Sequence, residues 1–165
     1  MNTITWPDIV TAVAAALTFV IVLAAVIIAK REINCMDRTR EAQLLADLSR
    51  RWNEEQLTES RKAARNYKNS TELKEAVLKL RQNNDQEYYN LIRLPDFFEA
   101  LGVLVNSGCL SRELTKDLFG TAIKHYYNLY SQTLQYLREI HDDKNIYTWF
   151  DDLAKELTIL NNKGK

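Results

Sequence analysis

Few side chains in this sequence have the types and spacing needed for catalysis. His141 and Asp142 are adjacent, as in the His-Asp doublet of metal-dependent phosphohydrolases, and His125 and Asp151 could supply further ligands. Such a site needs several histidines and carboxylates that converge on metal ions. The chain has 2 His, and His125 falls upstream on the same predicted helix. We therefore predict no metal site and no cofactor.

Patterns for nucleophilic catalysis and phosphate binding are also missing. The sequence contains no Walker loop, no GxSxG and no HExxH. Cys109 follows a glycine in a predicted turn, where it is either a reactive thiol or, as the default, a small buried residue. The 2 cysteines, Cys35 and Cys109, cannot form a disulfide framework or a four-ligand zinc site. The residue types thus predict no catalytic residue, although a site without a known motif stays open.

The elements that would position any site begin with a long apolar run. Residues 9–29 contain no charged side chain, and as a helix they would extend roughly 31 Å, close to the ~30 Å hydrocarbon core of a bilayer. Trp6 precedes the run, and Lys30 and Arg31 end it. A cleaved signal peptide would need a basic start and a shorter apolar stretch. We predict a transmembrane helix at 9–29 within an N-terminal segment 1–31.

Charges on the two sides of this run predict its orientation. Asp8 precedes the run, and the nearest basic side chains all follow it: Lys30, Arg31, Arg38, Arg40, Arg50 and Arg51. The positive-inside rule then places the N-terminus outside and residues 30–165 in the cytoplasm. We expect a single-pass protein of the inner (plasma) membrane that contacts the lipid bilayer through residues 9–29.

The remaining sequence has the pattern of a helical domain. The whole chain has 4 Gly and 2 Pro, too few for an all-β or a dinucleotide-binding fold. Helical spacing of apolar residues predicts an all-α protein with one N-terminal transmembrane helix and a cytoplasmic bundle of about five to six helices. Residues 32–52 form a juxtamembrane helix, residues 53–160 form the cytoplasmic helical domain, and residues 161–165 form a disordered tail.

Local signals predict where these helices begin and bend. Asn53 and Gln56 resemble a capping box that opens a helix. Ser70 and Ser111 can cap two later helices. Pro95 lies inside another predicted helix, where it removes a backbone donor and predicts a kink or a break.

One segment is apolar on every face except for a single carboxylate. Residues 97–105 contain Glu99 as their one charge, and Gly102 would allow a close helix crossing. A helix that is apolar all round belongs in the centre of a bundle. A buried carboxylate needs a cation or must stay protonated, so we predict a structural ion pair for Glu99, with an exposed Glu99 as the alternative. The candidate partners are Arg61 first, then Arg65 and Arg138.

Charge is uneven along the cytoplasmic part. Residues 60–81 are mainly basic and residues 139–156 mainly acidic. The two stretches either attract each other within the fold or leave a basic face for anionic lipid or a partner. The predicted face consists of Arg61, Lys62, Arg65 and Lys68. A net charge of +0 disfavours nucleic acid as the partner, so we expect a protein partner or a homo-oligomer.

Three stretches carry a resemblance to a known family. They are LLADLSRRWNEEQLTESRKA at 44–63, DFFEALGVLVNSGCLSRELTKDLFG at 96–120, and a tyrosine-rich helix that ends in Leu137-Arg138. The layout resembles an uncharacterised bacterial family of short single-pass membrane proteins with a cytoplasmic all-helical domain of unknown function. The resemblance covers about 40–155 and the preceding anchor. It implies a fold and a location, but no chemistry.

These observations favour one function over another. The missing catalytic motifs and the single anchor indicate a membrane-anchored helical module, a protein-interaction or scaffold module without catalytic activity. The alternative is a membrane-tethered enzyme or a toxin-like effector whose site is not visible in the sequence. Both hypotheses place the helical domain beside a membrane.

Overall fold

The computed structural model describes residues 6–83 and 85–163, and all their regular elements are α-helices. The helices are α1 (Trp6–Asn53), α2 (Glu55–Arg65), α3 (Ser70–Gln82), α4 (Gln86–Asn106), α5 (Arg112–His141) and α6 (Thr148–Lys163). The side chains of 6–21, of 158–163 and of several residues between 24 and 37 lie outside this description. The predicted all-α class is confirmed for the described residues.

The chain divides into two units, Met1–Gln43 and Leu44–Lys165. In the first unit, α1 is helical from Trp6 onward, and its described apolar side chains between residues 22 and 28 are 52% to 59% exposed. Among the described residues, no helix is both long enough and apolar enough to span a membrane. Most of the predicted span at 9–29 falls on side chains outside that description, so the span stays a prediction.

The second unit buries one apolar core, with α4 at its centre. This helix packs against α2, α3, α5 and α6. Phe98 and Leu101 of α4 are fully buried, as the apolar segment predicted. The last turn of α1 closes the core with Trp52, whose ring centroid lies 5.2 Å from that of Phe97 and 5.6 Å from that of Phe98. Residues 32–52, which the sequence predicts as a juxtamembrane helix, thus lie within α1, and the C-terminal end of α1 is part of the core.

Two predicted helix caps are wrong. The residue at the N-cap of α2 is Glu54, which makes no side-chain capping hydrogen bond, while the Asn53 side chain donates to the carbonyl of Ser49. Asn69, and not Ser70, caps α3 with its side-chain oxygen. For α3 the cap lies one position before the predicted residue, because Asn and Ser cap helices about equally well and the sequence does not decide between them. For α2 the residue at the N-cap is not a good capping residue, and the helix begins without a side-chain cap.

Pro95 neither breaks nor ends α4, which continues to Asn106. A proline inside a helix leaves the carbonyl four residues earlier without its donor, here the carbonyl of Leu91. The hydroxyl of Tyr130 on α5 donates to this carbonyl at 2.8 Å, and both residues are fully buried. A side chain from another helix therefore replaces the missing backbone hydrogen bond, which explains why a break is not required.

The predicted start of α5 is confirmed, whereas the predicted end of α6 is not. Ser111 caps α5, as expected, and its hydroxyl accepts from the backbone N–H of Leu114. This helix runs to His141 and is not divided at Gly120. The last helix, α6, ends at Lys163. Residues 161–163 of the predicted disordered tail are therefore helical, and residues 164 and 165 lie outside the description.

Candidate functional site

Glu99 lies where α4 meets α6, and its carboxylate caps α6. Oε2 accepts from the backbone N–H of Phe150 at 2.7 Å, and Oε1 accepts from that of Trp149 at 3.3 Å. The first N–H groups of a helix have no acceptor within that helix, and the positive end of the helix dipole favours a carboxylate. Burial raises the pKa of Glu99 above its usual value, although the two backbone hydrogen bonds act to lower it.

The predicted ion pair between Glu99 and Arg61 does not form. The guanidinium carbon of Arg61 lies 4.5 Å from the centroid of the Trp52 ring, and its Nη2 donates to the hydroxyl of Thr58 at 2.9 Å. Of the three candidate arginines, Arg138 is the one whose charge acts on Glu99 and lowers its pKa. The sequence predicted an ion-pair partner for Glu99, but its hydrogen-bond partners are backbone N–H groups of α6.

Gly102 brings α4 into contact with the first turn of α6. A Cβ atom at this position would lie 2.5 Å from the carbonyl oxygen and 2.7 Å from the carbonyl carbon of Trp149. These are backbone atoms, so they could make room only by a shift of the whole helix. The close crossing predicted at Gly102 is confirmed, and it places Glu99 within reach of the α6 N–H groups.

The connection between α5 and α6 is held from two sides. Arg138 donates to the carbonyl of Ile146 at 2.8 Å and to that of Tyr147 at 3.2 Å. Tyr147 has a φ of +56°, a left-handed conformation that is unusual for a bulky residue. Its hydroxyl donates to Asp96 of α4 at 2.7 Å, and burial raises the pKa of Asp96. These contacts hold the loop in the conformation that starts α6.

Asp151, in the first turn of α6, carries the remaining polar contacts. It accepts from the hydroxyl of Tyr127, pairs with Lys155 at 2.8 Å and lies 3.9 Å from Arg138. Burial raises its pKa, but the hydrogen bonds from Lys155 and Tyr127 outweigh burial, so the pKa lies below its usual value. We call this cluster the α6 clasp, and its members are Asp96, Glu99, Tyr127, Arg138, Tyr147 and Asp151.

The α6 clasp is suited to holding a helix in place. Each of its three carboxylates already accepts hydrogen bonds from the same chain. In the part of the chain that the structure describes, no group of three or more His, Cys, Asp or Glu side chains could hold a metal ion. His125 and Asp142 are exposed, and His141 lies beside Arg81, with 3.4 Å between their nitrogens. The residues of the hypothetical phosphohydrolase site are therefore not assembled.

A comparison of the sequence with models of protein families finds a match over most of the chain. The model of a domain of unknown function, DUF4760, matches residues 11–157. The chain belongs to this family. A comparison with curated proteins finds no match, and a comparison with solved structures finds none either. The DUF4760 match begins inside α1 and includes every residue of the α6 clasp, and the expected membership of an uncharacterised family is confirmed.

The predicted basic face of this DUF4760 chain has three exposed members. Lys62, Arg65 and Lys68 are exposed, whereas Arg61 is half-buried because it stacks on Trp52. Lys62 pairs with Glu59 of its own helix at 2.8 Å. The surface available to a partner on this side is therefore smaller than the four predicted residues.

One of the two cysteines has a described side chain, and it lies at the surface. Cys109 is exposed, so its expected burial is wrong. It follows Gly108, whose φ of +75° ends the turn after α4. The side chain of Cys35 lies outside the described residues.

Sequence reasoning missed several members of the α6 clasp. The sequence places Tyr127 in a tyrosine-rich helix, and it indicates no role for Asp96 or Tyr147. One signal was available for a related contact, because Pro95 implies an unsatisfied carbonyl at Leu91. Nothing in the type of Tyr147 indicates a left-handed backbone, so that part of the clasp had no sequence signal.

Proposed function

We propose that this DUF4760 chain is a membrane-anchored, non-catalytic helical module that acts by binding a partner protein or a second copy of itself. The observation that carries the anchor is the exposure of the described apolar side chains of α1. Val22, Leu23, Val26, Ile27 and Ile28 are 52% to 59% exposed. Soluble monomers rarely expose apolar surface contiguously, so these side chains need a cover from outside the chain.

A lipid bilayer is the cover that agrees best with the sequence. Residues 9–29 carry no charge and as a helix match the thickness of the hydrocarbon core. Because basic residues follow this run and none precedes it, the positive-inside rule supports an N-terminus outside and a helical domain in the cytoplasm. The proposed location is the inner (plasma) membrane.

Partner binding follows from what the second unit offers. Restriction to a membrane surface raises the effective concentration of a domain, so that weak contacts become sufficient. The exposed side chains of Lys62, Arg65 and Lys68 offer a basic contact surface for an acidic partner. The α6 clasp, whose carboxylates are occupied by donors of the same chain, supports a structural role there.

The proposal is tested with the full chain tagged at either end. We expect the protein to stay in membranes after carbonate extraction, and protease added to intact cells should remove an N-terminal tag but spare a C-terminal one. Pull-down from solubilised membranes should give a stoichiometric partner or a homo-oligomer. Release by carbonate would overturn the anchor, and a solitary monomer with hydrolytic turnover would support the enzyme or toxin-like alternative.

A matched pair of variants tests the basic surface. Charge reversal at Arg65 and Lys68 (Arg65→Glu with Lys68→Glu) should reduce the recovered partner about tenfold or more, since opposite charges would become like charges. The control reverses two other exposed lysines, Lys124 and Lys144, and should retain the partner. Equal loss in both variants would show that net charge matters and not this surface.

A further inference from the structure

A cavity of about 210 Å³ lies between α4 and the turn that joins α1 to α2. One wall consists of Arg51, Glu54, Gln56 and Leu57, and the other consists of Arg93, Asp96, Phe97 and Ala100. The α4 residues recur at the spacing of one helix face. Both walls belong to the second unit of the chain, and the cavity is separate from the basic surface proposed above.

Each wall contributes one guanidinium without a counter-ion. Neither Arg51 nor Arg93 forms an ion pair with any residue that the structure describes. Arg93 uses one nitrogen to donate to the side chain of Asn90 at 2.8 Å. Since arginine has five N–H donors, most of the donors on both side chains are available to a ligand.

The two carboxylates on the walls do not cancel these charges equally. Asp96 already accepts from the hydroxyl of Tyr147 at 2.7 Å. Glu54 is exposed and makes no capping hydrogen bond to α2, so its side chain can turn toward solvent. The guanidinium donors of Arg51 and Arg93 are therefore the groups open to an anion, and arginine binds a carboxylate through two parallel hydrogen bonds.

Apart from Gln56, the rest of the lining is apolar. Leu57 and Phe97 are 8% and 5% exposed, and Ala100 lies one turn further along α4. Pockets for drug-sized ligands usually exceed about 300 Å³, so this smaller cavity suits a group the size of one amino-acid residue. A carboxylate beside a short aliphatic chain would use both the guanidinium groups and the apolar lining.

We propose that this cavity binds a carboxylate attached to a short apolar group. Two sources share that chemistry, namely the C-terminal residue of a partner protein and a free small carboxylic acid. The inference rests on the proposed binding function only for the protein source, where it names the part of the partner that is recognised.

The test measures binding to the full chain in detergent micelles by calorimetry with three probes. They are N-acetyl-leucine, an acetylated tetrapeptide ending in leucine with a free carboxylate, and the same peptide with an amidated C-terminus. The two free acids should bind with a Kd of about 1 mM or tighter, and the amidated peptide about tenfold more weakly or not at all. Tighter binding of the peptide acid indicates a protein C-terminus, whereas equal binding indicates a free acid.

Neighbouring arginines provide the control variants. Arg51→Gln should weaken binding of the free acids about tenfold or more, because it removes a charge-assisted hydrogen bond. Arg50→Gln should change the affinity less than about twofold, because Arg50 pairs with Asp47 at 2.8 Å outside the cavity. Arg93→Gln tests the opposite wall in the same way.

Three results would overturn the proposal. They are no saturable binding of either acid to the folded chain, equal binding of the amidated peptide, or equal effects of Arg50→Gln and Arg51→Gln. Carbonate extraction and partner pull-down do not depend on this cavity, so its failure can be distinguished from a failure of the proposed function.

Discussion

The two units of the chain place the same residue types in opposite environments. In the unit Met1–Gln43 the described valine, leucine and isoleucine side chains are more than half exposed, whereas Leu73 and Leu91 of the unit Leu44–Lys165 are fully buried. Full burial of such a side chain stabilises by about 1.5–3 kcal/mol. The second unit obtains this stabilisation from its own helices, whereas in the proposed function a bilayer supplies it to the first.

The largest expected effect is the loss of stability when a core side chain of the second unit is replaced by alanine. Phe150 is fully buried and stacks on Phe98 with ring centroids 4.9 Å apart. Phe150→Ala should lower the free energy of unfolding by about 3–5 kcal/mol, measured by denaturant unfolding of the chain in detergent. Val26→Ala, at a site 59% exposed, should leave it within error. Similar losses for both variants would erase the distinction between the units.

The reverse experiment acts on the first unit alone. Phe19 lies at the middle of the run 9–29, and Phe19→Arg should oppose membrane insertion by about 2.5–3.5 kcal/mol. The measurement is the fraction of protein that resists carbonate extraction, with Phe19→Leu as the control. The unfolding midpoint of the second unit should not change. An arginine variant that stays in the membrane like the control would argue against a bilayer as the cover.

Two glycines sharpen the comparison within the second unit. Gly102→Ala should destabilise by about 1–3 kcal/mol, because the new Cβ would meet the backbone of Trp149 at 2.5 Å. Gly120→Ala should instead stabilise by up to about 1 kcal/mol, since its Cβ would meet only the flexible side chain of Lys116 at 3.4 Å. Thermal melting of both variants checks the sign, and a stable Gly102→Ala protein would refute the close crossing.

The second unit also supplies a hydrogen bond to a buried backbone carbonyl from one of its own side chains. Tyr130→Phe would leave the buried carbonyl of Leu91 without its donor and should destabilise by about 1–3 kcal/mol. Tyr136→Phe, at a half-buried tyrosine on the same helix, is the matched control and should have little effect. If Tyr130→Phe has the same melting temperature as the wild type, the hydroxyl does not replace the backbone hydrogen bond that Pro95 removes.

The smallest expected effect concerns Glu99. Glu99→Ala removes the acceptor of two backbone N–H groups of α6 and should destabilise by about 1–2 kcal/mol at pH 7. Glu99→Gln, which keeps one acceptor oxygen, should lose less. Melting curves of the three proteins at pH 7 provide the comparison, and an unaffected alanine variant would show that the cap contributes nothing.

The same variant has a pH dependence of known sign. Burial raises the folded pKa of Glu99 above its usual value of 4.5, so the folded state binds this proton more tightly than the unfolded state does. The contribution of that proton to stability is complete below the unfolded pKa and is lost as pH rises through the folded pKa. The wild type should therefore gain stability relative to Glu99→Ala as pH falls from 7 toward 4.5, and a loss would contradict the raised pKa.

Much of the fold follows from local patterns. The helices, the central place of residues 97–105 and the close approach at Gly102 could be predicted, because helical spacing and the absence of a Cβ are visible in the sequence. The N-cap residues of α2 and α3 could not be predicted, since adjacent polar residues compete for the same position. Most of the contacts in the α6 clasp could not be predicted either, because they join residues far apart in the chain, such as Asp96 and Tyr147.

The sequence by itself determined that this protein is helical, that one run of it carries no charge, and that Glu99 is the one charge in an apolar segment, because each of these depends on residue types and their spacing. Only the tertiary structure decided what satisfies each polar group. Glu99 caps the backbone of α6, and Tyr130 donates to the carbonyl that Pro95 leaves free. Except at proline, every residue type has the same backbone donor and acceptor. The sequence therefore does not show which distant side chain satisfies a given backbone group, because that depends on how the helices pack together.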